Sequence, residues 1–197
     1  VSNGGTWAHG THVAGLLSAT TNNGTGIASA AFNCSIMSVK VSSGEQDYPY
    51  ITHGYDGILY AAKAGFISGE FTIINNIWGG IGYSQYEQAT INIVHEDYNA
   101  IVLAAGGNGD DSGQGIDEFA HYPSSYDNVL SVCPTGNNDT WNHWATYHES
   151  IDIAAPGEGI RSTKIGSGYT SWSGSSMATP IVGSVLGLMR SINPSWN

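Results

Sequence analysis

The sequence predicts a single α/β domain in three layers, with a mainly parallel β-sheet between helices on both faces. Short apolar runs alternate along the chain with segments that carry apolar residues at helical spacing, and this alternation is typical of parallel sheets. The length of 197 residues suits one domain, and 41% of the residues are hydrophobic. We therefore expect one ordered core, with helices covering both faces of the sheet.

Six runs have the composition of strands. The first, Cys34–Val41, alternates apolar and polar residues, as a half-buried strand does. The next two are continuously apolar, as strands covered on both faces are. After Cys34–Val41, the predicted strands are Phe71–Ile74, Ala100–Ala104, Val129–Cys133, Ile151–Ala154 and Tyr169–Trp172.

Three segments predict helices, each with an apolar face. They are Ile51–Ala64, Ser84–Tyr98 and Ser176–Ser191, and Pro180 lies in the first turn of the last one, where proline is tolerated. The polar, glycine-rich stretches at 20–26, 106–115 and 157–168 predict loops. The loop at 106–115 follows a buried strand, and ligands bind at such carboxyl ends in parallel sheets, so it is the first candidate for chemistry.

Charge and composition exclude several classes of function. Sixteen acidic residues against five basic ones give a net charge of −11, which leaves few cations for a nucleic-acid surface. The longest apolar run, Ala100–Ala105, is far shorter than the roughly 20 residues of a membrane-spanning helix. Cys34 and Cys133 are too few for a disulfide framework and too far apart for a CxxC site.

Three short motifs carry the groups that acyl transfer requires. HGTHVAG at 9–15 offers a histidine as base, and GSSMATP at 174–180 places a serine at the start of a helix. AAGGNG at 104–109 leads a buried strand into a loop with one amide side chain, which could donate to an oxyanion.

Each of these groups also has a simpler interpretation. His9 and His12 could be metal ligands on one helical face, although no cysteine or carboxylate completes that site. Ser176 could be a helix cap, and Asn108 could be a turn former.

Together these motifs resemble the subtilisin-like serine proteases, or subtilases. The resemblance extends over nearly the whole chain in the family's order, through GIASAAFN at 26–33, SVKV at 38–41, YPSSYDNVLSV at 122–132 and AAPG at 154–157. It implies a subtilisin-like fold and serine endopeptidase activity, with Ser176 as nucleophile, His9 as general base and Asn108 as oxyanion donor. The second oxyanion donor would be the Ser176 backbone amide, and His12 would have a packing role.

The family's triad also contains an aspartate that precedes the histidine in the chain. None of residues 1–8 is acidic, and Asp152 lies in the segment before AAPG, where the family has a structural strand. Three hypotheses remain open: an upstream segment with the aspartate outside this chain, a cleaved protein held together by non-covalent contacts, or an inactive relative. We favour the first and expect residues 1–197 to be a partial peptidase domain lacking the amino-terminal strands and the carboxyl-terminal end.

The resemblance also implies a substrate cleft. Ile77, Trp78 and Gly79 would form one wall of the pocket for the substrate side chain, and Ala105, Gly106 and Gly107 the other. Ile77 stands where the family usually has serine, which favours the alternative of a non-catalytic, peptide-binding pseudoprotease. His121 would lie at the bottom of this side-chain pocket, where an imidazole narrows the pocket or, when protonated, favours acidic substrate side chains. Ser42, Ser43 and Gly44 would pair with the substrate backbone.

Further expectations follow from the same resemblance. Asn23, in the loop at 20–27, would be one ligand of a structural calcium ion, completed by a carboxylate from an upstream segment. No redox cofactor is needed. The expected partners are protein or peptide substrates, with a propeptide or flanking domains, and the expected location is extracellular or secreted. Tyr122–Pro123 is expected to be a cis bond. Cys34 and Cys133 are expected to be free thiols, since they fall on strands that are not neighbours.

Overall fold

The structure is a computed structural model that describes residues 6–42, 50–109 and 119–196. Its elements follow in chain order: α1 Thr6–Ser18, α2 Gly54–Ser68, β1 Ile73–Asn76, β2 Gly80–Ile81, α3 Gln85–Tyr98, β3 Ile101–Ala105, β4 His121–Tyr122, β5 Val129–Thr135, β6 Ile153–Pro156, β7 Ile160–Thr163, β8 Tyr169–Trp172 and α4 Ser175–Ile192.

A parallel sheet of four strands, in the order β1-β3-β5-β6, forms the centre of the domain. Ile73 lies opposite Ile101, and Val102 lies opposite Val129, so the apolar runs of neighbouring strands are in register. Two antiparallel pairs, β2 with β4 and β7 with β8, lie outside this sheet. The prediction of a mainly parallel sheet is therefore confirmed.

The alternation of side chains along β3 produces the three layers. Val102 and Ala104 belong to a core cluster with residues of α2 and α3, whereas Leu103 belongs to a second cluster with residues of α4. Each large apolar side chain buried in these clusters contributes about 1.5–3 kcal/mol. The first cluster includes Ile58, Ala62, Ile91 and Val94, and the second includes Val132, Ala178 and Val182.

The observed helices lie close to the predicted ones, and their ends have local causes. Helix α2 ends at Gly69, which takes a left-handed conformation and donates its amide to Gly65 O and Phe66 O. Helix α3 ends at Asn99 in the same conformation. Across the described ranges, no helix combines the length and the apolar character needed to cross a bilayer. Cys34 is exposed and Cys133 is buried, and both are free thiols, as expected.

The predicted strand at Cys34–Val41 is wrong. The segment has no strand pairing among the described residues and is largely exposed, and Ser42, just beyond it, forms an isolated bridge with Ile51. Its alternating pattern needs a neighbouring strand to become a ladder. In the structure a groove of about 1220 Å³ separates this segment from β1.

Four elements have no counterpart among those predicted from the sequence: α1, β7 and the two-residue strands β2 and β4. Helix α1 was not assigned as an element, because its apolar residues are interrupted by glycine, histidine and threonine. Strand β7 lies inside the stretch 157–168 that was predicted to be a loop. Its four residues contain a single large apolar side chain, Ile160, and its pairing with β8 depends on tertiary contacts.

Replacing Gly15 with alanine is expected to loosen the contact between α1 and β7. The Ser162 hydroxyl donates to His12 O at 2.6 Å, and the Thr163 hydroxyl donates to Thr11 O at 2.7 Å. A Cβ atom at Gly15 would overlap the Ser162 hydroxyl and lie 2.5 Å from Thr163 Oγ1. We expect urea unfolding to show a loss of about 1–3 kcal/mol in the free energy of unfolding, the usual cost of overpacking.

Gly10 provides a matched control in the same helix. A Cβ atom there would meet nothing within 4 Å, so Gly10→Ala should raise the free energy of unfolding by about 0.5–1 kcal/mol through helix propensity. Equal effects of the two substitutions would contradict the proposed importance of close packing at Gly15.

Candidate active site

The loop after β3 fixes the side chain of Asn108. Gly107 and Gly109 on either side of it have φ angles of 109° and 77°, which L side chains rarely adopt. Asn108 Oδ1 accepts hydrogen bonds from the Ser175 amide at 2.7 Å and from the Ser175 hydroxyl at 3.0 Å. The Ser175 N–H group can only donate a hydrogen bond, so the Asn108 atom that faces it must be the amide oxygen and not the nitrogen. The Nδ2 hydrogens of Asn108 therefore remain as donors for a ligand.

Ser176 lies in the first turn of α4, directly after the turn at Gly174. The Gly174 amide donates to Gly157 O at 2.8 Å, which ties this turn to the end of β6. A Cβ atom at Gly157 would clash with Pro134 and lie 3.0 Å from Gly174 O, so the close approach requires glycine. Amides in a first turn have no acceptor within the helix, so they are available to an anion.

Ser176 and Asn108 line one small pocket of about 170 Å³ at the carboxyl ends of the central strands. The predicted wall residues are also found there, apart from Gly106, where an added Cβ atom would meet Ile151 and the Val132 carbonyl. The complete lining consists of Ile77, Trp78, Gly79, Ala105, Gly107, Asn108, His121, Ser175 and Ser176.

His121 is held at this pocket by its backbone. Its carbonyl accepts the Ser124 hydroxyl, and its amide donates to Ser125 Oγ at 3.1 Å. The imidazole packs against Gly79, and its Nδ1 atom has no hydrogen-bond partner within the described ranges. Burial lowers the pKa of His121 below its usual 6.5, so the neutral form dominates at neutral pH. The peptide bond from Tyr122 to Pro123 is cis, as expected.

His9 lies on α1 and does not line the small pocket. It borders the large groove beside β1, and the two cavities share Ile77 and Trp78. Its ring centroid is 6.2 Å from that of Trp172. Burial, and then the neighbouring charge of His12, lower the pKa of His9, so the imidazole is neutral and able to accept a proton near pH 7.

His12 packs in the interior, as expected from the resemblance. It is fully buried, its ring stacks on Trp172 at 4.6 Å between centroids, and its Nε2 atom donates to Thr170 O at 3.2 Å. Burial lowers its pKa, and the hydrogen bond to Thr170 opposes that shift. These contacts hold α1 against β8.

Lowering the pH below 6.5, the usual histidine pKa, is expected to destabilise the protein through His12. The unfolded chain then binds a proton that the folded state resists, so the free energy of unfolding falls as the pH drops from 6.5 toward the lowered pKa. Above 6.5 this contribution is constant. Urea unfolding between about pH 5 and 8 should show the slope, and His12→Gln should reduce it by up to one proton.

A matched control is His95→Gln, at an exposed position of α3. The interpretation fails if His12→Gln leaves the pH dependence of unfolding unchanged.

The remaining predicted site residues are less informative. Ser42 pairs with Ile51, whereas Ser43 and Gly44 lie outside the described residues. Asn23 is exposed, and its Oδ1 atom already accepts the Thr25 amide at 3.0 Å. A calcium ion requires six to eight oxygen ligands, and among the described residues no cluster of three or more His, Cys, Asp or Glu could hold a metal ion. These residues do not fit a calcium site by themselves.

The large groove lies between β1 and the segment 36–41, and residues of α2 and α4 also line it. Val39 and Val41 line one wall, and Ile73 and Asn75 line the other. The outer edge of β1 has no strand partner in the part of the chain that the structure describes. Both polar atoms of the Asn75 amide on β1 are buried, and neither has a hydrogen-bond partner among the described residues. Such groups favour occupation of the groove by another polypeptide segment.

Sequence reasoning missed two residues that shape the site. Gly157, within the AAPG motif, brings the end of β6 against the turn at Gly174. Thr146 contacts the loop on both sides of Asn108. A single threonine outside every motif gives no signal in a single sequence.

Comparisons with known proteins identify the family of this chain. A family model described as the subtilase family matches residues 2–197. Thermitase from Thermoactinomyces vulgaris is 39% identical over 185 residues, which are 93% of this chain and 61% of that protein. Alkaline elastase YaB from Bacillus sp. (strain YaB) is 35% identical over 191 residues, which are 96% of this chain and 46% of that protein.

The solved structure of sphericase has the same fold, with a TM-score of 0.79 and 26% sequence identity. The alignment covers 96% of this chain and 65% of that one. This chain thus spans less than two thirds of each of these relatives. Since the family model matches almost every residue, the chain belongs to the subtilase family.

Proposed function

We propose that the protein is a serine endopeptidase in which Ser176 is the nucleophile, His9 the general base and Asn108 an oxyanion donor. The observation that carries the proposal is the fixed amide of Asn108. Its oxygen is held by Ser175, which leaves its two N–H groups beside Ser176 in one pocket. Membership of a family whose relatives include proteases supports the same assignment.

In the proposed reaction the Ser176 hydroxyl oxygen attacks the carbonyl carbon of a substrate peptide, and His9 takes the hydroxyl proton. The carbonyl oxygen becomes an oxyanion that accepts hydrogen bonds from Asn108 Nδ2 and the Ser176 amide. Collapse of this intermediate breaks the carbon–nitrogen bond, and His9 donates its proton to the leaving amine. Water then hydrolyses the acyl-enzyme by the same steps, with His9 again as base.

The carboxylate that orients His9 would come from a strand in the large groove. Three features of the described residues support this part of the proposal: β1 has no strand partner on its outer edge, the Asn75 amide has no hydrogen-bond partner, and His9 lies on the border of the groove. Intact-mass measurement and amino-terminal sequencing of the native protein would test it. An upstream segment that contains the aspartate, attached or tightly bound, is expected, and a native chain that begins at Val1 would overturn it.

The alternative is a peptide-binding domain without catalysis. Ile77 favours this alternative, because a β-branched side chain lines the pocket where the family usually has serine. The two functions differ in whether a bound peptide is cut. We expect the native full-length protein to hydrolyse peptide p-nitroanilides and to lose this activity after treatment with a fluorophosphonate. Binding of the same peptides without release of p-nitroaniline would instead establish the alternative.

His121 is proposed to restrict the substrate residue on the acyl side of the cleaved bond. The pocket is small, and the imidazole packs against Gly79 at its wall. The native protein should therefore cleave after alanine faster than after phenylalanine. Replacing His121 with glycine should raise kcat/KM for the phenylalanine substrate by about tenfold. This is the lower end of the range of about 1–3 kcal/mol by which a side-chain pocket discriminates between substrates.

The alanine substrate serves as the internal reference for both enzymes. A phenylalanine-to-alanine ratio of kcat/KM that is the same with and without His121 would contradict the role of the imidazole. Since burial lowers the pKa of His121, a preference for acidic side chains should appear only at low pH.

Calcium binding near Asn23 and an extracellular location stay predictions. The loop at 20–26 offers backbone carbonyls and the two amide side chains of Asn22 and Asn23, and the site would need a carboxylate from another segment. The excess of acidic residues supports a secreted protein and favours cationic protein substrates.

A further inference from the structure

Thr146 holds the loop that carries Asn108 from both sides. Its amide donates to Gly107 O at 3.3 Å, and its hydroxyl oxygen accepts the Gly109 amide at 2.9 Å. The two residues bonded to Thr146 are therefore the immediate neighbours of Asn108. Thr146 is only 4% exposed, so its side chain is largely shielded from water.

The position of Thr146 is itself fixed by packing. A Cβ atom at Gly107 would lie 2.6 Å from Thr146 Oγ1 and 3.2 Å from its Cβ, so the loop rests directly on this side chain. The Thr146 carbonyl accepts the Cys133 thiol of β5 at 3.6 Å. Because a β-branched side chain has few χ1 rotamers, the hydroxyl is held toward the Gly109 amide.

Two different anchors thus act on Asn108. Ser175 holds the side-chain oxygen, and Thr146 holds the backbone on either side of it. A donor that stabilises an oxyanion must be oriented before the charge develops, since reorientation during the reaction costs free energy. A shift of the loop would turn Asn108 Nδ2 away from the oxyanion even if the side chain itself remained.

We propose that Thr146 is a positioning residue for the oxyanion hole, acting through the backbone of Asn108. The inference rests on the proposed function of Asn108. It predicts an effect on the chemical step, with little effect on substrate binding in the ground state.

The test uses the full-length native protein and a peptide p-nitroanilide with alanine on the acyl side. Thr146→Val keeps the side-chain shape and removes the acceptor, so kcat should fall about tenfold while KM changes less than about twofold. Thr146→Ser keeps the acceptor and should restore most of kcat. Thr90→Val is the matched control, because Thr90 is also buried but bonds to Tyr86 O within α3. Its kcat should stay unchanged.

A double-mutant cycle with Asn108→Leu separates positioning from general structural damage. In subtilisin, a well-characterised member of this family, loss of the amide donor lowers kcat by about 10²–10³. We expect a loss of that size for Asn108→Leu here, and no further loss when Thr146→Val is added. Equal proportional losses in both backgrounds would overturn the inference, as would an unchanged kcat in Thr146→Val.

The same cycle identifies a failure of the proposed function. If Asn108→Leu alone leaves kcat unchanged, the oxyanion role of Asn108 is wrong, whatever Thr146 does. Circular dichroism and thermal unfolding show whether each variant folds. Thr146→Ala replaces Thr146→Val if the valine variant does not fold, and failure of both to fold would assign Thr146 a structural role and overturn the inference.

Discussion

Ser176→Ala should abolish hydrolysis of peptide substrates and covalent labelling by a fluorophosphonate. In the proposed mechanism no other group can form the acyl-enzyme, so the remaining rate comes from binding and the oxyanion donors alone. The corresponding substitution in subtilisin lowers kcat by about 2 × 10⁶, and we expect a loss of that order here. Labelling of the full-length protein, followed by mass spectrometry of the intact chain, provides the measurement.

Ser173→Ala is the matched control for this experiment. Ser173 lies three residues earlier, is exposed, and accepts the Gly159 amide at 2.9 Å. Its loss should leave labelling intact. Labelling that persists in Ser176→Ala would place the nucleophile elsewhere, and absence of labelling in the unsubstituted protein would favour the peptide-binding alternative.

His9→Ala should reduce kcat to nearly the same extent as Ser176→Ala, because the serine cannot lose its proton without the base. The effects of the two substitutions should also be strongly non-additive. In subtilisin the loss of either group costs about as much as the loss of the whole triad, roughly 10⁶ in kcat. The double variant should therefore be no slower than either single variant when single-turnover rates are compared.

An exposed histidine provides the control for His9. His53 is exposed on the protein surface, with its Nδ1 atom 3.3 Å from Asp56, and His53→Ala should leave kcat unchanged. Rates that multiply in the double variant would show that His9 and Ser176 act independently, which is incompatible with a shared proton transfer.

Much of the fold is predictable because the central strands are recognisable on their own. Runs such as Ile101–Ala105 are buried on both faces, so their apolar composition identifies them without knowledge of their neighbours. The segment at 34–41 has an equally good strand pattern and forms no ladder, because a strand also needs a partner. Strand β7 shows the opposite case, since its pairing with β8 compensates for a weak pattern.

The candidate site also contains residues that the sequence predicts and contacts that it does not predict. His9, Asn108 and Ser176 lie within motifs, and the sequence alone predicts the catalytic roles that we propose for them. The sequence does not predict the contacts of Thr146, which lies 37 residues from Gly109 in the chain and meets it only after the sheet has formed. The packing of His121 against Gly79 has the same origin, in the pairing of β4 with β2.

The groove beside β1 would couple the folding of the proposed enzyme to its activation. A segment that enters it would pair with the free edge of the sheet, cover apolar side chains and bring a carboxylate to His9. The last step of sheet formation would then also be the step that activates the histidine. A newly made chain with an open groove would lack peptidase activity, so that neighbouring unfolded chains would be protected from cleavage until folding is complete.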